Sequence, residues 1–387
     1  GGMDAEGRVD PWSYFVNAYV LDKEGQRINR RNGQDIFVPL YDHQIPPGAA
    51  DVVHYRLTLP DDTRGPITIE ANLKYRKFDT EYLQHIQGDK FNGNRLPVTT
   101  MASDRVVLAV ENGPGIDVDE SSTVPQWERW NDYGIGLLRE GDSGSSKGEL
   151  RQAEQVFKQV EALNPGQGAL NLARVYFKEG RLDEASAAIH RAAQAEPPAP
   201  PWTLAWFSAR IDHENGHLDN AIESLERIYD NQFETVAARG FDFSYDTNLL
   251  NELGRNNFER ARMERGNKRR QQREEFLQSS LLWFTRTMKI DPENQPAHYN
   301  LALVYAELDK PELANHHRQQ HDLFRPDDHA IEIAVTRHRQ NNPAADHAAA
   351  AFVIYELNRP QAYGINDAQS LQPAKSALLN KEELSSP

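Results

Sequence analysis

Residues 171–197 read NLARVYFKEGRLDEASAAIHRAAQAEP. Leu172 stands next to Ala173, Tyr176 follows nearly one helical turn later, Ala185 and Ile189 share a second apolar stripe, and Pro197 closes the stretch. The spacing predicts two paired helices. Small residues let paired helices approach, large ones fill the gap, and proline ends the second helix. Leu301, Ala302, Tyr305, Ala314 and Pro326 repeat the same offsets, with Asp309-Lys310-Pro311 at the turn.

Three weaker copies surround these two. Tyr133, Gly134 and Leu137 with Ala153, Phe157 and Pro165 form one, stretched by a loop from Gly141 to Gly148. Ala209, Gly216, Ala221, Leu225 and Ile228 form another, preceded by Trp202 and Trp206. Leu253 and Gly254 with Phe284 and Pro292 form the last, its helices lengthened around Arg262 to Glu275. This is the tetratricopeptide (TPR) pattern. It predicts an α-helical solenoid over residues 126–357, with about five helix pairs and a terminal cap from Asp327 to Leu357.

The first part of the chain has a different period. Apolar residues recur at every second position in 52–59 and in 67–75, and further strands are expected at Trp12 to Leu21, Asp35 to Leu40 and Arg105 to Val110. Turn residues separate them at Asp22 to Gly25, Pro46-Pro47-Gly48, Gly65-Pro66 and Asn92-Gly93. The expectation is an antiparallel β-sandwich over residues 1–112, a linker over 113–125 rich in Gly, Pro, Ser and acid, and a loose tail over 358–387. The fold class is thus α+β multidomain, a β-sandwich followed by a TPR solenoid.

Composition narrows the function classes. Acidic residues outnumber basic ones 58 to 43, and the formal charge of −15 disfavours nucleic acid and anionic membrane as partners. The basic run Lys268, Arg269, Arg270 and Arg273 is followed at once by Glu274 and Glu275 and reads as a solvated helix face. There is no cysteine, which excludes disulfides, thiolate metal sites, cysteine nucleophiles and thioether-linked haem within these residues. No apolar run approaches membrane-span length, and the first ten residues lack signal-peptide character. No catalytic motif is found, so no enzyme is expected, and no metal site. His317 and His321 share a helix face one turn apart, with His316 beside them, but a polar outer face explains them.

Two sets of residues stand out as candidate sites. Arg174, Arg210 and Arg255 each follow the small residue of a first helix, and Asn131, Asn171 and Asn251 lie near the same surface. Together they would line the groove as a ladder of guanidiniums suited to carboxylates of a partner. His43 and His54 lie in the strand region, where a neutral imidazole could ligate the iron of a neighbouring haem domain.

Beyond the repeat, the stretches VDPWSYFVNAYVLDKEGQRINRRNGQDIF, IPPGAADVVHYRL, YRKFD, WNDYGIGLL, KGELRQAEQVF and DPENQPAHYNLALVYAEL, from about Val9 to Leu357, resemble the C-terminal half of bacterial multi-haem c-type cytochromes that carry TPR repeats. The resemblance implies an exported, periplasmic or extracellular setting and an electron-transfer context. With no cysteine here, it implies no cofactor within this chain and haem c on an adjacent domain or partner. The expected function is a protein-interaction scaffold docking a c-type cytochrome domain or chain. Two alternatives are an electron-transfer subunit binding haem through histidines alone, and a carbohydrate-binding sandwich whose platform is Trp12, Tyr14 and Tyr41.

Overall fold

A computed structural model describes residues 2–28, 32–55, 57–108, 123–140, 148–231 and 233–350. The expected tail, most of the expected linker, the loop from 141 to 147 and the end of the expected cap lie outside them. The described chain falls into two compact units, one running to Pro125 and including the stretch from Asp327, the other spanning Gln126–Pro326.

In the first unit β1 (Ala18–Leu21) pairs antiparallel with β2 (Val38–Asp42). A separate ribbon joins β3 (Ile67–Tyr75) to β4 (Thr99–Leu108), with helix α1 (Thr80–Gln87) between them in sequence. Asp79 caps α1 by accepting from the Tyr82 amide at 2.7 Å, and Thr80 ties the helix to the amino-terminal turn by donating to the Gly7 carbonyl at 2.8 Å.

This corrects the β-sandwich. Among the described residues there are two two-stranded sheets and no facing pair. Residues 52–55 and 57–59, expected as a strand, belong to neither sheet, and Tyr55 and Leu57 are 78% and 71% exposed. Alternation shows that a segment has two unlike faces; it does not supply the neighbouring strand or the covering layer that a sandwich needs.

The second unit is a succession of antiparallel helix pairs: α2 (Gln126–Glu140) with α3 (Gly148–Leu163), α4 (Pro165–Lys178) with α5 (Leu182–Gln194), and α6 (Pro201–Glu214) with α7 (Leu218–Asp230). A short helix α8 (Glu234–Ala237) precedes α9 (Thr247–Met263), which pairs with the long α10 (Arg270–Ile290), and α11 (Gln295–Glu307) pairs with α12 (Pro311–Phe324). The expected register holds in the packing. Leu172, Ala173, Ala185, Ala221, Leu253, Leu301, Ala302 and Ala314 are all buried, as are the fully enclosed rings of Phe157 and Phe284.

Glycine at the small position has a direct cause. A Cβ on Gly134 would lie 2.5 Å from Cε1 of Phe157, and one on Gly254 would lie 2.7 Å from Cε1 and Cζ of Phe284. Each aromatic of a second helix presses on the backbone of the first.

The stretch expected as a cap is corrected as well. Helix α13 (Asp328–Asn341) packs on the β1–β2 ribbon, where Leu21, Val38 and Leu40 meet Ala334 in one buried cluster, and α14 (Pro343–Ala348) follows. His338 is buried there, its Nδ1 donating to the Gly25 carbonyl at 2.9 Å and its Nε2 accepting from the Tyr19 hydroxyl at 3.0 Å. The apolar face of α13 therefore serves a sheet rather than the end of the array.

Gly254→Ala tests the register by its sign. At an exposed helix position glycine to alanine stabilises by about 1 kcal/mol; here the new Cβ meets a buried ring, and urea denaturation is expected to show destabilisation instead. Ala185→Leu is expected to cost about 1–3 kcal/mol by overpacking. An unchanged or raised midpoint for both variants would overturn the helix pairing.

Candidate protein-interaction face of the helical array

The first helices of successive pairs touch along one side of the array, α2 against α4, α4 against α6, and α9 against α11. Solenoid curvature makes such a side the usual binding surface. On it Asn171, fully buried, donates through Nδ2 to Asn131 Oδ1 at 2.8 Å and accepts from Arg174 Nη1 at 3.1 Å. The two amides thus hold each other and aim one guanidinium.

Arg174 and Arg210 are laced across the α4–α6 seam. The Arg174 guanidinium carbon lies 5.8 Å from the centre of the Phe207 ring, that of Arg210 lies 4.5 Å from Phe177, and the two rings meet edge to face at 6.5 Å. Each helix gives a cation to the other's aromatic ring. Neither arginine forms an ion pair among the described residues. Burial lowers the pKa of Arg174, and burial followed by the charge of Arg210 lowers that of Lys178, so this corner holds concentrated positive charge in an acidic protein.

Several arginines elsewhere are matched by carboxylates, although Arg286 also lies over the Tyr229 and Trp283 rings with no ion pair among the described residues. Arg181 bridges Glu154 at 2.7 Å and Glu179 at 2.8 Å; burial pushes Glu154 up, but the hydrogen bonds from Arg181 and Lys158 outweigh it and hold Glu154 at about 2. Arg255 also falls in this class. It pairs with Glu259 at 3.2 Å and Glu252 at 3.9 Å on its own helix, so its charge is neutralised and it forms no third rung of the ladder.

Asn251 repeats the Asn171 arrangement by donating to Asn294 Oδ1 at 3.0 Å, while its own Oδ1 is buried without a hydrogen-bond partner. Phe177, Phe207 and Lys178 were missed in the sequence, as was His213, whose Nδ1 lies 2.9 Å from Asn256 Oδ1. The signal was present: Phe177 stands three residues after Arg174, and Phe207 three before Arg210, the spacing that places side chains on one helix face.

The histidines of the first unit take different roles. The His43 ring is stacked between Tyr14 at 4.6 Å and Tyr41 at 4.2 Å, and its Nδ1 lies 3.3 Å from the Phe15 carbonyl. Burial raises Tyr41 to about 12. Of the three expected platform aromatics, two clamp this imidazole, leaving Trp12 as the exposed ring. His54 is half-buried in the segment that joins neither sheet.

His317 meets His298 rather than His321. Its Nδ1 lies 2.9 Å from His298 Nδ1, and His298 Nε2 donates to the Pro292 carbonyl at 3.0 Å, so His298 Nδ1 is the acceptor of the pair. Among the described residues no group of three acidic, histidine or cysteine side chains is disposed to hold a metal ion, and no helix is long and apolar enough to cross a membrane.

Comparison with known proteins agrees with the repeat. The tetratricopeptide repeat family matches residues 146–206. MamA AMB-1 is similar to 52% of this chain over 99% of its own, at 16% identity and a TM-score of 0.36. YrrB, described as a TPR protein with an unusual peptide-binding site, is similar to 55% of this chain over 94% of its own, at 19% identity and a TM-score of 0.35. No curated protein matches the chain. The family match spans α3, the α4–α5 pair and the start of α6, and the other helix pairs described above lie outside it.

The histidine pair yields a pH dependence. Burial, then the charges of His298 and His316, lower the His317 pKa from 6.5 to about 4. The unfolded chain therefore binds more protons between those values, and stability is expected to fall as the pH drops through that window. Urea denaturation at pH 7 and pH 4.5 should show the loss in wild type and a smaller one in His317→Gln. Equal pH dependence in the two would remove His317 from the account.

Proposed function

We propose that the helical array is a scaffold that binds a carboxylate-bearing segment of a protein partner through Arg174 and Arg210, with Asn131 and Asn171 setting the first arginine's direction. The observation that carries this reading is the presence of two guanidiniums, stacked on rings and lacking acidic partners among the described residues, in a chain of net charge −15. An arginine spread on an aromatic face keeps its planar fork open to a bidentate anion. Following the sequence resemblance, the partner is a c-type cytochrome domain or chain in a periplasmic or extracellular electron-transfer system, with haem c carried by that partner.

A glutamate-rich peptide titrated by calorimetry at two salt concentrations provides the test. Arg174→Ala and Arg210→Ala are each expected to weaken binding roughly tenfold, about 1.4 kcal/mol, while Arg255→Ala stays near wild type because its charge is already paired. Affinity should fall with added salt. Wild-type binding by both of the first two variants, or none by the parent chain, would sink the reading.

One observation favours a second reading, that haem is bound without thioether links. The contact of His43 Nδ1 with the Phe15 carbonyl fixes the orientation of the ring, as a carbonyl commonly does for a metal-ligating histidine. A Soret band on titrating haem into the full chain, lost in His43→Ala, would support this reading over the scaffold.

A further inference from the structure

Among the described residues, neither face of the β3–β4 ribbon is covered along most of its length. Ile67, Ile69, Ala71 and Leu73 share one face with their cross-strand partners Leu108, Val106, Asp104 and Ala102. Along β3 every residue but Ile67 is exposed, with Ile69, Leu73 and Tyr75 at 51%, 51% and 56%. A two-stranded ribbon in water is marginal by itself, and strand edges with open amides and carbonyls invite a further strand. Among the described residues nothing pairs with the outer edge of either strand.

The sequence of β3, ITIEANLKY, is complementary to itself. Set antiparallel to a second copy about a two-fold axis through Asn72, Glu70 faces Lys74 of the other copy, Ile69 faces Tyr75, and Ala71 faces Leu73. Opposite charges meet twice on the polar face, and the apolar face continues unbroken across the junction. Within one chain Glu70 accepts a hydrogen bond from Asn72 at 3.0 Å, and neither Glu70 nor Lys74 forms an ion pair among the described residues. The irregularity in the β3–β4 ladder falls between Leu73 and Lys74, where the register skips Met101 of β4. The extra residue therefore sits on β4 and leaves β3 regular along its outer edge.

Strand β4 does not offer the same match. An axis between Asp104 and Arg105 would oppose those charges, but it sets Val106 of one copy against Ser103 of the other, apolar face to polar face. An axis through Ser103 or through Asp104 keeps the faces aligned and opposes no unlike charges.

We propose that two copies of this chain associate through the outer edges of their β3 strands, giving a four-stranded antiparallel sheet in the order β4-β3-β3-β4 with one continuous apolar face. The interface is isologous, and its polar side is fixed by the two Glu70–Lys74 contacts.

Sedimentation of the full chain across a concentration series tests this, with Glu70→Lys, Lys74→Glu and the double exchange beside wild type. The wild type should dimerise. Each single reversal opposes like charges twice and should weaken the dimer at least about tenfold, and the double exchange should restore it. Restoration separates lost pairing from lost folding, and circular dichroism of each variant checks the helical unit. Amide exchange along Ile67–Tyr75 should slow as wild-type concentration rises. A wild type that stays monomeric at its highest soluble concentration would overturn the proposal and assign the ribbon to a different partner. Single reversals that dimerise as well as wild type would overturn it too, since the association would then use another surface.

Discussion

The helical array depends on how closely two helices can approach. At Gly134 and Gly254 the aromatic ring of the second helix sits where a Cβ would be, and at Ala173, Ala185, Ala209, Ala221, Ala302 and Ala314 a single methyl fills that space with almost no exposure. The small residue sets the distance, the ring fixes the rotation about the axis, and the next pair is built on the surface this creates. Because every such contact joins neighbours in sequence, the array gains its stability repeat by repeat and needs no long-range closure. Changes at these positions are correspondingly severe, since buried rings have no space into which to move.

That locality explains why the second part of the chain was legible and the first was not. A helix pair writes its contacts within about 34 residues, so Leu172 to Pro197 already contains both partners. A strand writes only half of a contact. The alternation in 67–75 led to a strand because a partner existed in 99–108, whereas the described residues of 52–59 show the same alternation and join no sheet. Helix α13 was legible as a helix, but its apolar stripe does not name what it covers; Ala334 and His338 fit Leu21, Gly25 and Tyr19, more than 300 residues earlier.

The candidate site divides along the same line. Helical spacing put Arg174, Arg210 and Arg255 in equivalent positions, and equivalence suggested three like rungs. Their neighbours differ. Glu252 and Glu259 flank Arg255 on its own helix at i−3 and i+4 and neutralise it, a pairing readable from the sequence, whereas Arg174 and Arg210 have aromatic neighbours across a seam that no single-helix pattern contains. The three arginines therefore differ in surroundings, Arg255 through carboxylates of its own helix and the other two through packing between helices.

The same rule of unmet pairing connects the two candidate surfaces. Folded chains rarely leave a cation half-buried without an anion or an apolar strand face without a cover, because desolvation and lost burial both oppose it. Arg174 and Arg210 leave positive charge without an ion pair among the described residues, the deficit that the proposed acidic segment would remedy. The β3 edge is a deficit of hydrogen bonds and apolar contact, and its own sequence supplies the complement, since Glu70 and Lys74 stand equally far on either side of Asn72 with matched apolar residues between and beyond them. A chain that remedies one deficit with another copy of itself would present the other twice, so that two weak carboxylate sites on one dimer would act together on a partner able to span them, with the gain set by the effective concentration of the second site.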